Sequence, residues 1–121
     1  MYQFREITLK NGSQEKKILT IEFDQPEMKI VGEFLMADAR LVDDSVLEAI
    51  ERVLTGVTEC VESGGNRCGL IIKADTTVIY DLFEDDADVE TYPPYEMETK
   101  KLRALIRVWI EKLDEWKRSN R

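Results

Sequence analysis

Five carboxylates fall within seven residues: Glu84, Asp85, Asp86, Asp88 and Glu90. Side chains of this type and density can hold a hard cation through oxygen ligands, or supply the acid and base of a glycosidase-type hydrolysis. Neither chemistry fits the spacing well. A calcium loop needs Gly at its sixth position and Glu at its twelfth, and counted from Asp81 or Asp85 the Gly is missing. A catalytic carboxylic acid needs a desolvated site to raise its pKa, whereas adjacent acids in a turn-rich run stay wet. Histidine is absent from the chain, which removes His general bases, His-ligated metals, and Ser-His or Cys-His nucleophiles. Cys60 and Cys68 have no zinc-ligand spacing and read as buried small hydrophobes. Gly64-Gly65 is not followed by the Lys-Ser/Thr of a phosphate loop. No catalytic residue, metal ligand or cofactor site is assigned. A small metal-dependent hydrolase using the carboxylates of 81–90 stands as the alternative reading, and a housekeeping regulatory subunit as another.

The acids have a second use, as a surface. The chain of 121 residues carries 25 acidic and 17 basic side chains, a net charge of −8. Eight of the acids lie between Asp81 and Thr99, where there is no Lys or Arg, so the remainder is balanced and the whole imbalance is local. A localised negative patch disfavours direct binding to nucleic acid or to an anionic membrane, and favours a cationic protein. Within the same stretch lies Tyr92-Pro93-Pro94-Tyr95. The prolines stiffen the backbone and lower the entropy lost on binding, and Tyr92 and Tyr95 are of the residue type that anchors interfaces. The same residues also suit a rigid connector with its rings over the core edge. Glu84, Asp85, Asp86, Asp88, Glu90, Tyr92 and Tyr95 are therefore the expected partner-binding residues.

These side chains need elements to position them. "YQFREITL" alternates with one slip in phase and reads as a strand with room for a bulge; Asn11-Gly12 is a hairpin signal; "ILTIEFD" alternates again. "EMKIVGEFLM" puts Met28, Ile30, Gly32, Phe34 and Met36 on one face and reads as a third strand. Ser45 and Glu48 fit a capping box, and the stripe Val46, Ile50, Val53, Leu54, Val57, Cys60, Val61 predicts a helix to Glu62, with Gly56 as a costly interior residue. "GLIIKA" and "TVIYDLF" form a second hairpin about Asp75-Thr76. Thr99 is placed as the cap of a last helix with the stripe Leu102, Leu105, Ile106, Trp109, Ile110, Leu113, Trp116. Trp109 is expected in the core. Arg103 and Arg107 share a helix face at i, i+4; if they pair with the acidic loop they neutralise part of it and weaken the interaction reading. The expectation is one α+β domain over 1–121: an antiparallel sheet of about five strands with two amphipathic helices, in the order βββ-α-ββ-α. No apolar run is long enough for a membrane helix, and the N-terminus lacks a secretory apolar region, so the expected compartment is the cytosol.

The stretch "GLIIKADTTVIYDLFEDD…YEMETKKLRALIRVWIEKLDEW" resembles the C-terminal half of small bacterial immunity proteins from contact-dependent and other polymorphic toxin systems: a strand hairpin, an acidic segment, and a Thr-capped terminal helix with a Leu-x-x-Leu-Ile-x-x-Trp stripe. The resemblance implies a cytosolic antitoxin that occludes one toxin domain and has no catalytic residues. Combined with the acidic segment, it points to a basic nuclease-type toxin domain as the partner, with neither nucleic acid nor membrane bound directly; the oligomeric state stays open.

Overall fold

The computed structural model describes residues 2–36, 45–64, 68–82 and 92–119. Strand β1 (Tyr2–Asn11) and strand β2 (Gln14–Phe23) form a two-stranded antiparallel ribbon. Its register runs unbroken from Tyr2 opposite Phe23 to Asn11 opposite Gln14, so the phase slip in the sequence produces no bulge. The turn is Gly12-Ser13, with Gly12 at φ +64°, where an L side chain would be strained.

The third expected strand is instead helical. A 3₁₀ turn over Pro26–Met28 leads into α1 (Lys29–Phe34). Proline at the first turn position costs no hydrogen bond there. Ile30, Val31, Phe34 and Leu35 are buried, a spacing that belongs to a helix rather than to alternation. Helix α2 (Ser45–Leu54) begins at the expected residue but ends well short of Glu62. Gly56 lies at φ +81° as the stop of the helix: the N–H of Val57 bonds the carbonyl of Arg52 at 2.9 Å and that of Gly56 bonds Val53 at 3.3 Å. This pair of bonds satisfies carbonyls that the helix end leaves open.

The chain beyond α2 becomes strand β3 (Cys60–Gly64), followed by β4 (Cys68–Lys73), β5 (Thr76–Asp81) and β6 (Tyr95–Glu98). They pair as an antiparallel meander in the order β3-β4-β5-β6. Helix α3 (Thr99–Ser119) closes the described chain. The architecture is α+β with antiparallel pairing, as expected, but with two sheets of two and four strands and three helices.

All three helices pack on one face of the four-stranded sheet, where Leu70, Ile72 and Ile79 join Ile30, Phe34, Ile50, Val53, Leu102, Ile106 and Trp109 in one core. The ribbon lies over α1 and α3 from the other side, β2 against α1 and β1 against α3. Helix α1 lies close against β2: a Cβ at Gly32 would sit in ordinary van der Waals contact, at 3.6 Å, with the Ile21 carbonyl and the Phe23 ring. Trp109 is 1% exposed and stacks on Phe4 of β1, with ring centroids 6.1 Å apart. Trp116, further along the stripe, donates its indole N–H to Glu6 at 2.7 Å.

Thr99 holds α3 to the sheet rather than capping its own helix. Its backbone N–H bonds the carbonyl of Asp75 at 3.1 Å, in the β4–β5 turn. Its hydroxyl donates to the carbonyl of Lys73. That leaves the hydroxyl of Thr77, 2.8 Å away, to donate to Thr99. All this takes place where Thr77 and Thr99 are fully buried. Cys68 is buried as expected, whereas Cys60 is exposed, because the helix meant to bury it has ended and β3 turns it outward.

Candidate docking surface

The acidic segment leaves the sheet at the end of β5 and returns to begin β6. Glu84, Asp85, Asp86, Asp88 and Glu90 lie outside the described residues. The ends of the segment are tied together. Asp81, 3% exposed and paired with Cys68 across the ladder, accepts a hydrogen bond from the N–H of Tyr92 at 3.2 Å. This carboxylate therefore works as an internal brace rather than as surface charge.

Tyr92 is half-buried against the core and lines a cleft of about 360 Å³ with Phe23, Gly32 and Met36. Tyr95 is half-buried opposite Ile79 on the helix-covered face of the sheet. Each ring thus packs against the core and leaves part of itself to solvent. Among the described residues Arg103 and Arg107 both reach Glu51 of α2, at 2.7 Å and 3.6 Å. With Glu51 45% exposed, this cluster contributes about 1 kcal/mol at most.

The remaining acids of the stretch, Glu96 and Glu98, are exposed on the outer face of β6. Glu98 pairs with Lys101 at 3.0 Å. Strand alternation and the ladder register bring Glu96 into a row with three residues from other strands. Glu62 lies opposite Ile71, Ile71 opposite Val78, and Val78 opposite Glu96. Beside this row, Tyr80 lies opposite Gly69, which is itself opposite Gly64. The Tyr80 ring lies flat over Gly69: a Cβ at 69 would come 2.2 Å from Cζ and 2.4 Å from Oη. Ile71, Val78 and Tyr80 are half-buried and stand apart from the core, and no described element packs on them. The outer face of the sheet therefore has an apolar centre between two carboxylates, and neither Glu62 nor Glu96 has an ion-pair partner among the described residues.

Sequence reasoning did not find this row, because it put Glu62 in a helix and Glu96 in a loop. The signal available was the alternation in "TVIYD", whose outward members Val78 and Tyr80 are too apolar for a purely solvated face. Among the described residues, no three His, Cys, Asp or Glu side chains lie close enough to hold a metal ion, and no helix is long and apolar enough to cross a membrane.

The chain is 36% identical over 92 residues to a Bacillus cereus protein named "Immunity protein", a match that covers 76% of each chain. No protein-family model and no solved structure matches.

Proposed function

Because the chain belongs to the immunity-protein family of that Bacillus cereus relative, we propose that it neutralises one cognate toxin by binding and occluding it, and that this toxin domain is cationic and of the nuclease type. Family membership carries the immunity role. The sign of the partner rests on the localisation of the whole net charge of −8 to one stretch of sequence.

A nuclease holds phosphates with Lys and Arg, and carboxylates can occupy the same donors through charge-assisted hydrogen bonds. Glu84, Asp85, Asp86, Asp88 and Glu90 are the proposed competitors for those donors. Tyr92 and Tyr95, stiffened by Pro93 and Pro94 between them, are the proposed anchors. Opposite charges also steer the encounter, raising association rates toward about 10⁸–10⁹ M⁻¹s⁻¹ at low salt. Occlusion asks for no catalytic group. The proposed site of action is the cytoplasm, where a nuclease finds its substrate.

The test is co-expression in a bacterial host with the toxin domain encoded beside this gene. Restored growth and a one-to-one complex on size-exclusion chromatography are expected. Undiminished toxicity with no complex overturns the reading, and restored growth against a toxin with an acidic cleft overturns the nuclease assignment.

A further inference from the structure

We propose that the toxin docks on the open face of the β3–β6 sheet, with Tyr80, Val78 and Ile71 at the centre of the contact and Glu62 and Glu96 on its flanks. This rests on the immunity reading above and adds which face carries the centre of the contact, leaving Tyr92 and Tyr95, which pack against the core, at its margin.

The face has the anatomy of an interface core. Its centre is apolar and contains a tyrosine, the composition that separates interface centres from ordinary surface. Tyr80 is pre-set for contact, because Gly69 and Gly64 beneath and beside it provide a floor without side chains. A ring already lying flat loses little rotamer freedom on binding. With strands about 4.8 Å apart, the row from Glu62 to Glu96 is about 14 Å wide. That is a small part of the roughly 800 Å² that each partner buries in a standard interface, so these residues form a central cluster inside a wider polar rim. Lys73, Thr76 and Glu98 supply part of that rim on the same face.

The charges select the occupant. Glu62 and Glu96 flank the apolar centre from opposite edges, and neither is neutralised by a described neighbour. A partner that places Lys or Arg around an apolar contact gains at both edges, whereas an acidic partner is repelled at both. The outer face of the ribbon offers a rival apolar pair, Ile7 opposite Ile18, with Leu9 50% exposed beside it. Its neighbours are Lys16, the wrong sign for a cationic toxin, and Arg5, which Glu22 on the same face already holds at 3.4 Å.

The test uses the full-length protein and an inactivated toxin domain encoded by the neighbouring gene, with Kd measured by calorimetry and Tm by circular dichroism. Tyr80→Ala and Val78→Lys should each weaken binding by about tenfold or more. Their Tm should stay close to wild type, because neither side chain is in the core, and Leu9→Lys should bind as wild type. Should Val78→Lys fail to fold, the exposed pair Glu62→Lys/Glu96→Lys carries the same prediction. Folded Tyr80→Ala and Val78→Lys binding within about twofold of wild type overturn the docking face and leave the immunity reading standing. A wild-type protein that neither binds nor protects overturns both. A wild-type dimer in sedimentation, broken by Val78→Lys without change in toxin affinity, assigns the face to a second copy of this chain and overturns the toxin as occupant.

Discussion

Gly69→Ala tests the one close approach on which the proposed docking face is built. Gly69 is not among the positive-φ glycines, so its strand backbone accepts Ala. In isolation such a change stabilises by about 0.4–1 kcal/mol, by reducing the freedom of the unfolded chain. Here the new Cβ meets Tyr80 at 2.2–2.6 Å, well inside contact distance. The atoms it meets are the far end of a side chain, so the ring can swing outward rather than force the backbone apart. The cost then falls at the low end of overpacking, about 1–2 kcal/mol. The net expectation is a loss of roughly 0–1.6 kcal/mol. In a Tyr80→Ala background the obstruction is gone, and the same change should stabilise by about 0.4–1 kcal/mol. The sign reverses, and the coupling between the two positions amounts to about 1–2 kcal/mol. Urea denaturation followed by Trp109 and Trp116 fluorescence measures all four proteins, with a common m-value as the check that the surface exposed on unfolding is unchanged. Equal effects of Gly69→Ala in both backgrounds would refute the close packing of Tyr80 on Gly69, and with it the pre-set ring.

Trp109→Ala should cost about 3–5 kcal/mol in the same assay, because the indole is 1% exposed and also carries the stack that fixes the ribbon through Phe4; a loss below about 1 kcal/mol would mean the ring is not core. Trp109→Phe should cost far less, under about 1.5 kcal/mol, because the buried indole N–H has no partner to lose. Thr99→Val should cost about 1–3 kcal/mol, because the Lys73 carbonyl and the Thr77 hydroxyl both lose their partner in a buried site; thermal melts showing no change would place water there. Replacing Asp85, Asp86 and Asp88 together by Lys should slow association with a cationic toxin and flatten its salt dependence, with Tm nearly unchanged; stopped-flow rates that do not move would refute steering by these acids, and a collapse in Tm would assign them a structural role.

Helix α3 and the ribbon were legible in the sequence because each carries a long, unambiguous period. The stripe from Leu102 to Leu113 can be satisfied only by a helix with one covered face, and Gly12 sits where a tight turn needs it. Helix α1 was not legible, because a run as short as "KIVGEF" satisfies both periods. Ile30 and Phe34 sit on one face of a strand and also lie one turn apart on a helix, and the neighbours Val31 and Leu35 decide between them only once a core exists to bury them. The end of α2 was misread because Val57, Cys60 and Val61 continue its stripe by coincidence. Val57 is 70% exposed, and Gly56, taken as a cost inside a helix, is the residue that ends it. Tyr92 and Tyr95 lie on the core margin, as the reading of the segment as a rigid connector has it, because the tie from Tyr92 to Asp81 and the pairing of β6 with β5 draw both inward.

Read alone, the amino-acid order established properties that add along a chain: the absence of histidine, the concentration of negative charge in one stretch, and the amphipathic faces of α2 and α3. These need no knowledge of which segments meet. The outer row of Glu62, Ile71, Val78 and Glu96 needed the tertiary structure, because it draws one residue from each of four strands. Its alignment is set by strand register, and register is set by which face the core buries and by the ladder hydrogen bonds that follow. A shift of one residue in any strand would turn that member inward and remove it from the face, so no local pattern could specify the row in advance.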